Sequence, residues 1–213
     1  MRGKVEVEEL KFSTADKKRF YLANAGVLWI GAIMVFVLWL LALRPLSEMG
    51  FRVPYIDTLV IGLTSLFVLA YIIETVTEIR KEDNEEDLLR SAAFLPNNGR
   101  EYYYFVLLSI SAGICEEIVY RGFLVNYLMT IIDDRVIAFN VAVIFPAVIF
   151  GVVHMYQGMK SVLKIGIMSL LFSTIFIFSQ SLLIVVILHT AVDMASGFIG
   201  MTLIRRHHNS EEE

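Results

Sequence analysis

The sequence predicts an all-α polytopic membrane helix bundle of about six spans, or seven or eight if its longest apolar segments break. Three observations lead there. Of 213 residues, 57% are hydrophobic, and the mean hydropathy is +0.66; a soluble domain of this length holds less apolar residue and more charge. The apolar residues come in long blocks, not at amphipathic spacing. The first block, Leu22 to Leu43, has no charged side chain, and at about 1.5 Å rise per residue it crosses a ~30 Å hydrocarbon layer.

The elements follow in order. Met1 to Arg19 is a polar, basic arm, and the block after it reads as an uncleaved signal-anchor helix, longer than a usual signal-peptide core. Arg44 to Arg52 connects it to a second span, Tyr55 to Thr77, with Pro45 and Pro54 as breakers. Glu78 to Arg100 is a charged linker, part of it a surface helix, and "PNNG" at Pro96 to Gly99 is a turn. A third segment, Glu101 to Ile132, exceeds one span and is either a long tilted helix or one broken near Gly122. "DDR", Asp133 to Arg135, ends it, and Val136 to Met155 is the fourth span. Tyr156 to Lys164 reads as a polar loop. From Ile165 the apolar character runs to Ile204, too far for one span, and "SQS" at Ser179 to Ser181 is the turn between the fifth and sixth. This gives an arm, two helices and linker in 1–100, a membrane core of catalytic type in 101–204, and a polar tail in 205–213.

Lys and Arg placement orients the bundle, since basic residues favour the cytoplasmic side. With the N-terminus inside, the arm, Arg80, Lys81, Arg90, Arg100, Lys160, Lys164, Arg205 and Arg206 are cytosolic, against Arg44, Arg52 and Arg135 outside. Both termini are therefore expected in the cytosol, with the cell membrane as the location. The net charge is −4, and the acids lie mainly in loops and in the tail "SEEE". No basic run resembles a nucleic-acid patch, so nucleic acid is not an expected partner and the lipid bilayer is. Cys115 is the single cysteine, which excludes an intrachain disulfide.

Four ionisable groups fall inside predicted spans: Glu116, Glu117, Arg121 and Asp193. A charged group at a helix centre costs about 2.5–3.5 kcal/mol, so the set costs on the order of 10 kcal/mol, comparable to a domain's net stability. Such groups pair or line water, and mark function by default. Glu117 and Arg121 are four apart with the acid first, the favourable orientation for an ion pair. Glu116 is turned about 100° away. This predicts a neutralised structural pair, Glu117–Arg121, and a free carboxylate, Glu116. The competing possibility is that all three only tie helices together.

Two further helix faces carry polar groups four apart: Phe150 with His154, and His189 with Asp193. One histidine in a span is more often an interhelical hydrogen-bonder than a catalytic group; three polar faces that can converge change the odds. Low-dielectric surroundings bring a carboxylate towards the proton affinity a general base needs. A histidine can orient the same water, and a second one with Asp193 can stabilise an oxyanion or fix each other's geometry. Glu116, His154 and His189 also make a two-His, one-Glu set of the kind that binds a divalent metal such as zinc, although H-E-x-x-H on one helix is absent. Direct and metal-assisted water activation both stay open. The layout sets His154 near the cytosolic end of its span and His189 nearer the other side.

In order, E-E-x-x-x-R, F-x-x-x-H and H-x-x-x-(N/D) resemble the CPBP family of CAAX-type prenyl endopeptidases and bacteriocin-processing or immunity proteins, also called ABI. Here these are Glu116, Glu117 and Arg121 followed by Gly122 and Phe123; Phe150 and His154; and His189 and Asp193. The resemblance covers about Tyr103 to Ile204. It implies an intramembrane endopeptidase, with a peptide or membrane-protein substrate as partner, in which Glu116 and His154 activate water while His189 and Asp193 stabilise the tetrahedral intermediate. Tyr120 stands where the family often has Phe. Asp193 stands where some members have Asn; as an acid it acts protonated, or it orients His189. The alternative is a non-catalytic membrane immunity or binding protein of the same family; an ion-coupled transporter is weakened by the lack of an internal repeat.

Other polar groups have simpler readings. Cys115 is a packing residue, His207 and His208 belong to a solvated tail, Asn126 and Asn140 are interhelical hydrogen-bonders, and Trp29, Trp39 and Tyr102 to Tyr104 pack or anchor at the interface.

Overall fold

The computed structural model describes residues 12–80 and 94–211, with side chains to 206. Most of the N-terminal arm, the surface helix expected in the linker and the side chains of His207 and His208 lie outside the described residues. Within them there is no strand, and six helices are long and apolar enough to cross a membrane. The chain is an all-helical, multi-pass integral membrane protein.

Helix α1, Thr14–Leu41, starts ahead of its apolar block because Ser13 and Asp16 form a capping box. In α2, Thr58–Arg80, Asp57 takes the Val60 N–H at 2.9 Å. Asn98 caps α3, Gly99–Glu117, through the Glu101 N–H at 3.0 Å, so the "PNNG" turn ends by starting a helix. A π-helical stretch, Ile118–Val125, continues α3 into α4, Asn126–Ile131. Asp134 caps α5, Arg135–Val153. A single 3₁₀ turn, Met155–Gln157, leads to α6, Met159–Ser179, and α7 is Leu182–Glu211.

The third segment therefore does not break near Gly122; its turns widen instead. π turns recur at functional sites and leave backbone groups to be re-paired where the α ladder resumes. Asn126 does this by donating Nδ2 to the Gly122 carbonyl at 2.8 Å. Asn140 likewise bonds the Val136 carbonyl of its own helix at 2.8 Å. Both asparagines thus serve their own helices, not a neighbouring one, because their short amides reach back one turn. Gly122 itself is needed for close approach: a Cβ there would stand 2.9 Å from Met49 Cγ and 3.1 Å from the Met49 carbonyl.

The expected loop from Tyr156 to Lys164 is mostly helix. Gly158, at φ 95°, makes the sharp entry, and α6 begins at the next residue. Lys164 is tolerated there because Glu74 and Glu78 of α2 meet its ammonium at 2.6 and 3.3 Å. The α1–α2 connection is also more than a surface loop. The Gly50 carbonyl accepts the Leu182 N–H at 3.0 Å, Ser181 Oγ donates to the Arg52 carbonyl at 2.6 Å, and the Tyr55 N–H reaches the Ser179 carbonyl at 2.8 Å. The connection thus covers the "SQS" turn, where Gln180 is left-handed at φ 55° and both flanking serines are fully buried.

Helix α1 packs along α3, α3 along α7, and α5 along α6. At the far end a polar knot joins the starts of α1 and α3. The buried Glu101 carboxylate accepts Thr14 Oγ1 at 2.6 Å, the Asn97 N–H at 2.8 Å and Asn98 Nδ2 at 2.7 Å, with the Lys17 ammonium at 3.6 Å. Glu101, read as the first residue of a span, is thus a fastener.

The close approach of Met49 to Gly122 gives a direct test. Gly122→Ala should destabilise by about 1–3 kcal/mol through overpacking, read as a lower melting temperature in detergent. Gly62→Ala, in α2 with open space around it, should hold or raise stability by about 0.5–1 kcal/mol. Equal behaviour of the two would remove the loop–helix contact from the fold's determinants.

Candidate active site

Glu117 ends the α-helical part of α3 and is wholly buried, as is Arg121. Their ion pair, at 2.8 Å, is the one expected from the i,i+4 spacing. The guanidinium is satisfied further by α6: Nη2 donates to Ser169 Oγ at 2.7 Å and to the Ser169 carbonyl at 3.1 Å. The rings of Phe150 and Phe172 flank it at 5.2 and 5.4 Å, a cation–π setting. A buried guanidinium is stable only with such a set of partners.

Glu117 has a second partner that sequence spacing does not reveal. Its Oε1 also accepts from His189 Nδ1 on α7, at 2.7 Å. A carboxylate oxygen that already accepts from Arg121 can only accept again, so Nδ1 carries the proton. The opposite nitrogen, Nε2, then faces two other carboxylates, Glu116 Oε2 and Asp193 Oδ2, each at 3.7 Å. Both gaps are too long for a hydrogen bond. Glu116 has no hydrogen bond among the described residues, and its side chain is 16% exposed against 0% for Glu117. The neighbouring glutamates therefore differ as expected, one paired and one unengaged. Glu117 is more than half of an ion pair, however, because it also sets the tautomer and orientation of His189.

His154 closes α5. Its N–H bonds the Gly151 carbonyl at 3.1 Å, while its ring Nδ1 reaches the Phe150 carbonyl at 2.6 Å. A carbonyl only accepts, so Nδ1 again holds the proton and Nε2 keeps its lone pair. Phe150 is the hub of the arrangement: its buried ring lies 4.7 Å from the His154 ring, 6.0 Å from that of His189 and 4.8 Å from that of Tyr120. His154 and His189 thus both lie near one phenyl ring, not at opposite depths. From the α4–α5 turn, Glu116 and His154 lie roughly 22 and 28 Å along their helices, and α7 brings the His189 ring to the same Phe150 side chain.

Among the described residues no three His, Cys, Asp or Glu side chains gather as a group that could hold a metal ion. Cys115 is free and buried in the apolar core. Trp39 is buried, with its Nε1 on the Pro45 carbonyl at 3.2 Å, while Trp29 donates to Ser111 Oγ at 3.2 Å. Tyr102 donates to the Met194 carbonyl at 3.1 Å. Sequence reasoning did not find Ser169 or Phe172. Their only signal is a serine in an otherwise apolar span, which does not reveal its partner.

The pair predicts a coupled response. Glu117→Gln leaves Arg121 short of its counter-charge, and breaking one side of a buried pair costs about 3–5 kcal/mol. Glu117→Gln with Arg121→Met should recover part of that loss. A double-mutant cycle on melting temperature reads the coupling; additivity would mean the pair does not hold the site.

Residues 98–195 match the family model described as type II CAAX prenyl endopeptidase Rce1-like. No curated protein and no solved structure matches the chain. The matched stretch runs from the cap of α3 to just past Asp193 and holds all three motifs, while α1 and α2 lie outside it. The stretch that builds this site, residues 98–195, is thus similar to the Rce1-like type II CAAX prenyl endopeptidase family.

Proposed function

We propose that this protein is an intramembrane endopeptidase that hydrolyses a peptide bond with a water activated by Glu116 and His154. The supporting observation is the contrast within one cluster: Glu117 and Arg121 are paired at 2.8 Å, with Glu117 Oε1 also holding His189, while the Glu116 carboxylate has no hydrogen bond and is partly exposed beside that imidazole. In this reading Glu116 takes a proton from water, and His154 Nε2 holds that water through its lone pair. The hydroxide adds to the substrate carbonyl. The developing oxyanion is met by His189 as an imidazolium, with its Nδ1–H on Glu117 and a second proton on Nε2 between Glu116 and Asp193, and with Asp193 either protonated beside it or orienting the ring. Glu116 then returns its proton to the departing amine, which balances the hydrolysis. No step needs a metal.

The active half in this reading is 101–204, with 1–100 as arm, paired helices and linker and 205–213 as tail. The Lys and Arg asymmetry supports cytosolic termini in the cell membrane. Reporter fusions at each end should then give cytosolic signals, and a translocated signal at either terminus would reverse the orientation.

Glu116→Gln should lower turnover at least 100-fold, within the span typical of general-base loss, and leave the melting temperature close to wild type. Proteomics of membrane-protein fragments in cells carrying wild type or Glu116→Ala gives the substrate. Fragment patterns that are the same in both would sink the peptidase reading.

A further inference from the structure

A cleft of about 300 Å³ opens at the loop end of the bundle, away from the proposed catalytic groups. It lies among the ends of α1, α4 and α6, so its mouth is at the boundary between hydrocarbon and headgroups. Its floor is apolar, made by Val125, Met129, Phe176 and Ile177. Its rim carries Arg44, Glu48 and Arg52. Arg44 is held: it lies 4.4 Å over the Trp39 ring, pairs with Glu48 at 3.0 Å and donates to Thr130 Oγ1 at 3.2 Å. That pairing answers the one acidic charge of the rim. The exposed Arg52 side chain has no hydrogen bond or ion pair among the described residues, so the rim faces an incoming group with one uncompensated positive charge.

We propose that this cleft binds the phosphate of an anionic phospholipid, with Arg52 and Arg44 on the phosphate and the first acyl carbons on the apolar floor. A cationic rim over an apolar floor at this depth fits a molecule with both parts better than a free anion. The volume admits a phosphate and glycerol, while the acyl chains run out past the exposed Met129. The occupant would touch Val125 and Asn126, the residues at which the π stretch bearing Arg121 returns to α-helix. A bound lipid therefore steadies the segment that carries the Glu117–Arg121 pair. This assignment is independent of the peptidase reading.

Native mass spectrometry of the full chain, released from nanodiscs of mixed phosphatidylglycerol and phosphatidylcholine, tests it. Wild type should retain phosphatidylglycerol in preference to phosphatidylcholine. Arg52→Gln should lower that retention about fivefold, the effect of one basic group at a charged membrane surface. Arg135→Gln, an exposed arginine outside the cleft, should leave it unchanged. Equal retention of the two lipids, no loss in Arg52→Gln, or an equal loss in Arg135→Gln overturns the site. Displacement of the lipid by excess inorganic phosphate overturns the assignment to a lipid. Melting temperatures of both variants near wild type confirm that the fold is intact.

Discussion

A single carboxylate oxygen, Glu117 Oε1, holds this membrane core together. It accepts from Arg121 one turn along its own helix and from His189 on α7, and Arg121 extends the link to Ser169 on α6. Three helices are thus joined through one atom in surroundings where polar groups find no water. The arrangement is stable because the positive and negative charges lie together and most of the donors are used. It also decides which nitrogen of His189 faces Glu116 and Asp193, so the contact that holds the helices also fixes the orientation of the imidazole.

Phe150 plays the complementary, apolar part. Its ring touches the guanidinium face, both imidazoles and Tyr120. A phenyl group offers no hydrogen bond to divert these groups from their own partners.

Much of this was legible in the sequence, for identifiable reasons. The spans were visible because hydrocarbon thickness forces long apolar blocks, and the Glu117–Arg121 pair was visible because helical spacing is local. The turn at Gln180 was marked by its polar neighbours in an apolar run. What was hidden depended on contacts distant in sequence. The Glu117–His189 bond joins residues 72 apart. The start of α6 was hidden because Lys164 looks solvated until Glu74 and Glu78 are placed beside it. The depth of His189 was misread because nothing in its own helix says that its ring meets the Phe150 side chain. The widened turns after Glu117 have no local signature either.

His154 is both the last word of a helix and a candidate reactive group. Its ring satisfies the Phe150 carbonyl, which α5 leaves free at its end. A substitution there unravels a helix terminus at the same moment that it deletes a lone pair, so loss of activity in such a variant is ambiguous by construction. A replacement that keeps the ring donor and removes only the far nitrogen would separate the two. Among the natural amino acids, asparagine, with an amide near the position of Nδ1, is the nearest approach. The comparison of His154→Asn with His154→Ala thus distinguishes anchoring from reactivity where a single alanine variant does not.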